Sequence, residues 1–528
     1  MIKEKLAQEI DELFKKWNKH DSPGCALAII KDGKNIYKKC YGMADLEHNI
    51  PISSESIFCI GSVTKQFIAM CILLLTEQNK ISLDDDIRKF LPKFPNYNQT
   101  ITVRNLIHHT SGIRDFSELL LISGKHYLDD ITRREAMSII LKQKQLNFAP
   151  GEEMLYGNSN YLLLIAIIEN ITGKPIREFA DENIFIPLNM KNTYLLEDSK
   201  SIIKNRAFGY IPNGEGRYFN DFRTTIGLSV VYSNVDDLFL WDQNYYNNKL
   251  GNTGQNLIKS MLTPYRLNNG TEGGYAFGVG VDIYKGDKRV WHNGYIGGHR
   301  SQYISFPEHR FSVIILTNFS DLHPEPLADK IADMVLKIKL QEFESPEILI
   351  DPEIYNKYNG KYLSESLGMV KISTVKGCLL FQGLSFRMTE LIAESESSFF
   401  LKGFKVRISF EKTGNNSGSQ YVLHQQGMGI DEIYRKIEPS TLSQEELKHY
   451  VGKYYSEETN STYKILIRNN GLYLGYQGNY ELEFLEKDKF QITQTARLLF
   501  KFKRIENEII EGFELDTRRL RNIWFKRA

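Results

Sequence analysis

The chain has 528 residues, 42% of them hydrophobic and 25% charged, with 66 Lys and Arg against 65 Asp and Glu and a formal net charge of +1. This length exceeds one ordinary domain and suggests about three, and the composition is that of a globular protein rather than a disordered or fibrous one. Near-neutral charge with scattered lysines argues against nucleic acid as the main partner, because phosphate binding needs a clustered positive field.

The N-terminal stretch "MIKEKLAQEIDELFKKWNKH" carries Leu6, Ile10, Leu13, Phe14 and Trp17 at helical spacing. It predicts an amphipathic helix; charges interrupt every apolar run that a signal peptide would require, and the expectation is a cytoplasmic protein. "GCALAIIKDGKNIYKKCYGMAD" predicts a hairpin turning at Asp32-Gly33. "IFCIGSVTKQFIAMCILLL" (57–75) reads as a loop running into a buried helix that lasts to about Gln78. Its "MCILLL" run is too short to span a bilayer. "YLLLIAIIENITG" (161–173) predicts a second helix with Gly173 as its C-cap. Further on, "AFGVGVDIYKGDKRVWHNG", "RSQYISFPE" and "FSVIILTNF" read as successive strands, and "LADKIADMVLKIKL" as a closing helix. Helices framed by an N-terminal hairpin and C-terminal strands predict an α+β domain with an antiparallel sheet over residues 1–342.

After "FESPEILIDP" (343–352) strand patterns dominate and long apolar helices vanish. This half repeats: "YNKYNGKYLSE" (355–365) matches "LKHYVGKYYSE" (447–457), with Gly360, Lys361 and Tyr362 answering Gly452, Lys453 and Tyr454. Each unit ends in a basic-apolar strand, "IDEIYRKI" and "LRNIWFKR". Two small antiparallel β-barrels follow from this, at 353–438 and 445–528, joined near Glu438-Pro439-Ser440. A closed barrel suits many short strands because it leaves no open edge. The five cysteines, Cys25, Cys40, Cys59, Cys71 and Cys378, are odd in number and widely spaced, so most read as buried thiols rather than a disulfide framework.

Chemistry enters at Ser62 and Lys65. On a helix, residues three apart share a face, so the lysine amine reaches the serine hydroxyl. A serine is a poor nucleophile until a neighbour takes its proton, and a desolvated lysine serves as such a base. At a helix start the serine N–H is unpaired and can face an oxyanion. The bare S-x-x-K pattern is common, however, and recurs at Ser201, Ser373, Ser409 and Ser461. The last three read as strands, where residues three apart point to opposite faces.

Context separates Ser62 from the rest. "GSVTKQF" is followed by "LLTEQNKISLDDDIRKFLP", "ITVRNLIHHTSGIRDF", "FAPGEEMLYGNSNYLLLIAIIENITGKPIREF" and, much later, "VWHNGYIGGHRS". This order resembles the serine β-lactamase and penicillin-recognising superfamily, specifically its class C-like branch of DD-peptidases, D-aminopeptidases and esterases, over about residues 20–335. The resemblance implies a β-lactamase/transpeptidase-like domain followed by two small lipocalin-like β-barrels; this whole-chain layout resembles the D-stereospecific aminopeptidases, with penicillin-binding relatives that carry lipocalin-like tails as the near alternative. The chain departs from the S-D-N and K-T-G patterns, carrying Tyr156-Gly157-Asn158 and His292-Asn293-Gly294 in their place.

By this resemblance Ser62 is the nucleophile, Lys65 its proton partner, and Tyr156 a base in acylation and an acid toward the leaving group. Asn158 would orient Lys65 and the substrate amide. Asn293, Gly294 and Tyr295 would line one wall, with the Tyr295 N–H as second oxyanion donor beside that of Ser62. His292 stands where K-T-G enzymes have a lysine that helps fix a substrate carboxylate, and an imidazole is mostly neutral at neutral pH. That tilts the reading from carboxypeptidase or β-lactamase toward aminopeptidase, amidase or esterase. A rival Y-x-N, Tyr232 to Asn234, reads as a structural segment before another helix. His108 and His109 are adjacent and lack metal-ligand spacing; they read as a structural loop beside the site. His299 shows no obvious partner. No metal or cofactor is implied.

The expected activity is acyl-enzyme hydrolysis of small D-amino-acid peptides, amides or esters, with β-lactams as further ligands and a homodimer as an allowed assembly. The alternatives are a DD-carboxypeptidase or penicillin-binding protein, an esterase, or a non-catalytic scaffold on the same fold. In the aminopeptidase family a loop of the last barrel enters the cleft; "GYQGNYELE" (475–483) is the candidate here.

Overall fold

The computed structural model describes residues 2–125, 129, 131–197, 201–214, 218–221, 229–337, 350–364, 368–383, 388–402, 406–413, 420–427, 430–438, 441–476, 478–492, 498–505 and 509–528. Most of the expected linker (343–349), Pro439-Ser440 of the inter-barrel junction and Gln477 of the candidate loop lie outside them. The chain forms two compact units, one of Met1–Leu121 and Lys125–Leu340, the other of Ile122–Gly124 and Gln341–Ala528.

The first unit is built on a six-stranded antiparallel sheet. Its strands are β1 (Cys25–Lys31), β2 (Lys34–Tyr41), β3 (Gly280–Tyr284), β4 (Asp287–Ile296), β5 (His299–Phe306) and β6 (Phe311–Thr317), in the spatial order β3-β4-β5-β6-β1-β2. The predicted hairpin turns at Asp32 and Gly33, both with positive φ, the conformation that lets a two-residue loop follow the strand twist. β1 is sandwiched between its neighbour in sequence, with Cys25 facing Tyr41, and the last strand, with Cys25 facing Thr317.

Two helices cover one face of the sheet: α1 (Glu4–Phe14) and, last in this unit, the helix Pro324–Leu336. Ile10 and Phe14 of α1 bury with Leu27, Ile29, Val313, Ile315 and Ile331. Burial of each such side chain contributes about 1.5–3 kcal/mol. Phe14 stacks on Tyr41 at 4.7 Å, and Asp11 accepts from the Tyr41 hydroxyl at 2.8 Å, so the amphipathic helix is fastened at both its apolar stripe and its edge. The opposite face packs against α2 (Lys65–Glu77), α3 (Asn158–Thr172) and α4 (Val235–Tyr246) through contacts that run from α4 to β1 and β6 and from α2 to α3. α2 is buried from Lys65 to Leu75, as a helix that is apolar on every side from Phe67 to Leu75 must be. α3 ends at Gly173 in the left-handed conformation expected of a glycine cap (φ +67).

The second unit holds two closed eight-stranded antiparallel barrels, with first and last strands Gly360–Ser364 and Ile430–Ile437, then Gly452–Ser456 and Ile523–Arg527. The repeat seen in the sequence is physical. Tyr362 donates to the Tyr358 carbonyl and Tyr454 to the Tyr450 carbonyl, each at 2.8 Å. The interiors are filled by side chains, as eight strands allow: Tyr358, Phe399 and Phe410 pack in the first, Phe490, Phe502 and Phe513 in the second. Leu363, Met369 and Ile437 of the first barrel bury with Leu485 and Leu499 of the second, and the ion pairs Lys361–Glu483 and Arg435–Glu486 link the same two barrels.

All five cysteines are free thiols. Among the described residues no helix is long and apolar enough to cross a membrane.

Candidate active site

Ser62 lies in a short 3-10 turn, Gly61–Thr64, that runs directly into α2 at Lys65. Gly61 takes φ +52, and a Cβ there would meet the Tyr295 nitrogen at 2.8 Å. A Cβ on Gly294 would lie 2.0 Å from the Ile60 carbonyl oxygen. Both positions need glycine because the loop carrying Ser62 abuts the end of β4. That contact brings the Tyr295 N–H beside the residue preceding Ser62. The loop is pinned on two sides: Ser301 Oγ donates to the Ile60 carbonyl at 2.7 Å, and the Val231 N–H donates to Thr64 Oγ1 at 2.9 Å. The first turn of α2 is held by Gln66, whose Oε1 accepts from Trp241 Nε1 at 2.8 Å and the Tyr245 hydroxyl at 2.9 Å.

Lys65 is 6% exposed, and its Nζ stands 3.1 Å from Ser62 Oγ and 3.1 Å from Asn158 Oδ1. It also lies over the rings of Tyr156 (4.9 Å to the centre) and Tyr161 (5.5 Å). Among the described residues no carboxylate pairs with it; two neutral oxygens and two aromatic faces surround the amine, a cation–π setting.

Tyr156 and Asn158 enter at the start of α3. The segment is held by His109, a residue with φ +58. Its carbonyl accepts from the Leu155 N–H at 2.9 Å, and its Nδ1 accepts from the Gly157 N–H at 3.2 Å. One residue thereby fixes both neighbours of Tyr156, and its ring packs 4.4 Å from the tyrosine ring. The Asp115 carboxylate accepts the Asn158 N–H at 2.5 Å, and Asn158 Nδ2 faces Ser117 Oγ at 3.5 Å. The amide of Asn158 is therefore oriented with its oxygen toward Lys65.

His292 is 4% exposed, with Nδ1 2.6 Å from the Asn293 carbonyl and Nε2 3.2 Å from the Tyr275 hydroxyl. Burial, and next the nearby Lys65 charge, push its pKa down to about 3. The ring is neutral throughout the physiological range. Asn293 requires a correction: successive strand residues alternate faces, and its side chain turns to the other side, donating to Glu325 at 3.1 Å. The Tyr295 side chain is 56% exposed and lies against Arg300, so what this residue offers the cleft is its backbone.

The competing motifs have other duties. Asn234 caps α4, accepting from the Asp237 N–H at 2.8 Å, and Tyr232 is buried on a strand that pairs with Phe58 and Cys59. Ser373, Ser409 and Ser461 sit on strands Gly368–Val375, Arg407–Thr413 and Ser461–Arg468, and Ser201 is not helical. His108 turns away from His109, its Nδ1 bonding the Tyr275 carbonyl at 3.2 Å, and burial holds its pKa down to about 4. His299 is buried edge-on to Phe58, with its pKa lowered to about 3 by burial and then by Arg206. Among the described residues no three His, Cys, Asp or Glu side chains gather as metal ligands. His109, Asp115, Ser117 and Tyr275 support the site without having stood out as site residues in the sequence; only the "LIHHTSGIRDF" loop signalled two of them, His109 and Asp115.

A β-lactamase fold with a serine and a buried lysine at one helix start defines a class, and the comparisons agree. The β-lactamase family model matches residues 5–336, so the chain belongs to that family. Penicillin-binding protein 4* of Bacillus subtilis (strain 168) is 27% identical over 457 residues, covering 82% of this chain and 100% of that protein. A D-aminopeptidase of Brucella anthropi is 24% identical over 473 residues, covering 87% of this chain and 84% of its own length. Among solved structures, an octameric penicillin-binding protein homologue from Pyrococcus abyssi superposes with a TM-score of 0.58 at 26% identity, covering 81% of this chain and 99% of that one.

Proposed function

We propose that this chain is a serine hydrolase that works through an acyl-enzyme on Ser62, a D-aminopeptidase acting on D-amino-acid peptides, amides or esters. The observation that carries the reading is the placement of Lys65 Nζ, 3.1 Å from both Ser62 Oγ and Asn158 Oδ1 and against the Tyr156 ring. In this reading Tyr156, beside the lysine charge, takes the Ser62 proton as the hydroxyl attacks the scissile carbonyl. The developing oxyanion accepts from the backbone N–H groups of Ser62 and Tyr295. Tyr156 then returns the proton to the departing amine or alcohol, and water releases the acyl group by the same path in reverse. His292 and Gly294 form the wall, His292 as a neutral group. Likeness to the Brucella anthropi D-aminopeptidase over 87% of the chain supports the substrate class.

A second reading, a DD-carboxypeptidase or penicillin binder, is supported by the likeness to penicillin-binding protein 4* over 82% of the chain. We place the protein in the cytoplasm and keep a homodimer as an allowed assembly. The deciding measurement is release of p-nitroaniline from D-alanine and L-alanine p-nitroanilides, with p-nitrophenyl acetate and nitrocefin alongside, for wild type and Ser62→Ala. D-selective turnover lost in the variant is the expected result. Ester cleavage alone makes the protein an esterase. Absence of turnover, with no acylation of Ser62 by a fluorescent penicillin or a fluorophosphonate, defeats the hydrolase reading.

A further inference from the structure

A cavity of about 450 Å³ opens in the first unit, and none of Ser62, Lys65, Tyr156, Asn158, His292 and Gly294 lines it. Its size falls in the range of small-molecule sites, about 300–1,000 Å³. One side is the segment 201–208, which is tied to the strand leading toward Ser62. The Ile57 N–H donates to the Asn205 carbonyl and the Ala207 N–H to the Ile57 carbonyl, each at 2.9 Å. Two large aliphatic side chains stand at the cavity, Ile202 at 95% exposed and Ile50 at 51%. Single exposed hydrophobic residues are ordinary, but two on one cavity make an apolar surface that a ligand can cover.

Arg206 is the only cation lining this cavity among the described residues. Its guanidinium lies over the Tyr232 ring, 5.1 Å from the centre, and one terminal nitrogen donates to the Tyr232 hydroxyl at 3.4 Å. Its Nε is shut off from solvent and has no acceptor. Among the described residues no carboxylate pairs with it. The Asp45 carboxylate lines the same cavity but is committed elsewhere, accepting from the Glu47 N–H at 2.8 Å and meeting His48 Nδ1 at 2.7 Å. His299, beside Arg206, is held neutral by burial and by that same positive charge, so it supplies no counter-charge. An arginine paired so weakly keeps its planar fork for an acceptor from outside the chain. Ser201 and Asn205 add a hydroxyl and a side-chain amide that bond no other described residue.

We propose that this cavity is a second ligand site, and that it takes a small N-acylated amino acid with an apolar side chain. The free carboxylate pairs with Arg206, the side chain covers Ile50 and Ile202, and the acyl amide exchanges hydrogen bonds with Ser201 and Asn205. One guanidinium offers one compensating charge, and Asp45 repels a second negative charge, so a monocarboxylate is favoured over a phosphate. A plain fatty acid would cover the aliphatic side chains but leave the Ser201 hydroxyl and the Asn205 amide without partners. The site stands apart from the Ser62 cleft, and the proposal does not depend on the hydrolase reading.

The test is isothermal titration calorimetry of the full chain at pH 7 with N-acetyl-leucine, against four comparison probes. N-acetylleucinamide lacks the charge, N-acetylglycine lacks the apolar side chain, octanoate lacks the amide, and inorganic phosphate carries more than one charge. The expected result is one N-acetyl-leucine per chain, with each comparison probe bound more weakly and the uncharged amide about tenfold or more so. Arg206→Gln should weaken N-acetyl-leucine by about tenfold or more, the worth of a hydrogen bond to a charged group. Ile202→Ser, a change at a side chain in solvent, should weaken it by about threefold, part of the worth of covering an aliphatic side chain. Absence of binding to the wild type at millimolar concentration overturns the proposal, as does equal affinity for the uncharged amide. Unchanged affinity in a folded Arg206→Gln variant puts the ligand elsewhere and overturns it too. Tighter binding of octanoate or phosphate overturns the ligand class. Should Arg206→Gln fail to fold, unchanged affinity in Ile202→Ser overturns the site.

Discussion

Ser62 and Lys65 are three residues apart, and that spacing alone made them legible: a turn entering a helix brings their polar atoms together wherever it occurs. What the spacing could not supply was the rest of the lysine's surroundings. Asn158 lies far along the chain, and its amide is turned toward Lys65 by Asp115 and Ser117, which no local pattern links to it. His109 was readable as loop, but its grip on both sides of Tyr156 depends on a left-handed backbone at a non-glycine residue. Asn293 shows the converse, since a motif read as a block hides the alternation that sends its side chain to Glu325. At this scale the expectation is that Ser62→Ala lowers kcat by about 10⁴-fold or more and Tyr156→Phe by about 10²–10⁴-fold, with melting temperatures little changed. Ser201→Ala, which alters an equally good S-x-x-K string outside any helix, should leave kinetics unaltered; a loss there would refute the assignment to Ser62.

Two elements carry the site's precision, and each suggests a measurement. The start of α2 is overlain by Gly278, at φ +75, where a Cβ would come within 2.5 Å of the Lys65 carbonyl. Gly278→Ala must push α2 away, so activity should collapse even in a variant that remains folded. Gly173→Ala at the end of α3 is the matched control: φ is also positive but nothing lies within 4 Å, so the cost is about 1 kcal/mol of stability with kcat intact. Equal kinetic effects of the two would argue against α2 placement as the sensitive variable.

The packing of α4 on the sheet depends on Asp242. It is buried and accepts from Tyr303 at 2.9 Å, Ser312 at 2.5 Å and Gln243 at 2.8 Å, with Tyr245, Tyr246 and Arg310 also nearby. Burial outweighs these donors and pushes its pKa up to about 6 from 3.8. A raised acid pKa means that the folded state holds its proton more tightly than the unfolded one. The contribution to stability is thus full below about pH 4 and lost as pH rises through about 6. A shift of about two units corresponds to about 3 kcal/mol. In urea titrations, the stability of wild type relative to Asp242→Asn should fall across that window; a flat difference from pH 4 to 7 would rule this out.

On the scale of the whole chain, the repeated Gly-Lys-Tyr segments announced two barrels, and the composition change near residue 350 separated them from the sheet-and-helix half. The apolar cluster joining the barrels was not legible, because Leu363, Met369, Ile437, Leu485 and Leu499 each sit in an ordinary strand pattern and meet only after both barrels close. The cross-barrel ion pairs are partly exposed and contribute little, so this cluster is what couples the barrels. Leu485→Ala should cost about 2–4 kcal/mol, and hydrogen exchange should accelerate in both barrels together. Acceleration confined to 452–527 would mean that the barrels unfold separately.

The position of β1 in the sheet has a consequence for how the protein is made. Its residue Cys25 is flanked by Tyr41 on one side and Thr317 on the other. At about 5–20 residues per second, a ribosome delivers the second partner about 15–60 s after the first. For that interval the hairpin has an unpaired apolar edge, the kind of surface on which chains pair with each other, and the turn and helix that carry Ser62 and Lys65 exist without the wall that completes their cleft. The barrels wait far less, because Lys361 meets Ile437 and Tyr454 meets Arg527 within one module. The hydrolase half is therefore the slow and vulnerable part of the nascent chain, and the earliest-made strand is among the last to be satisfied.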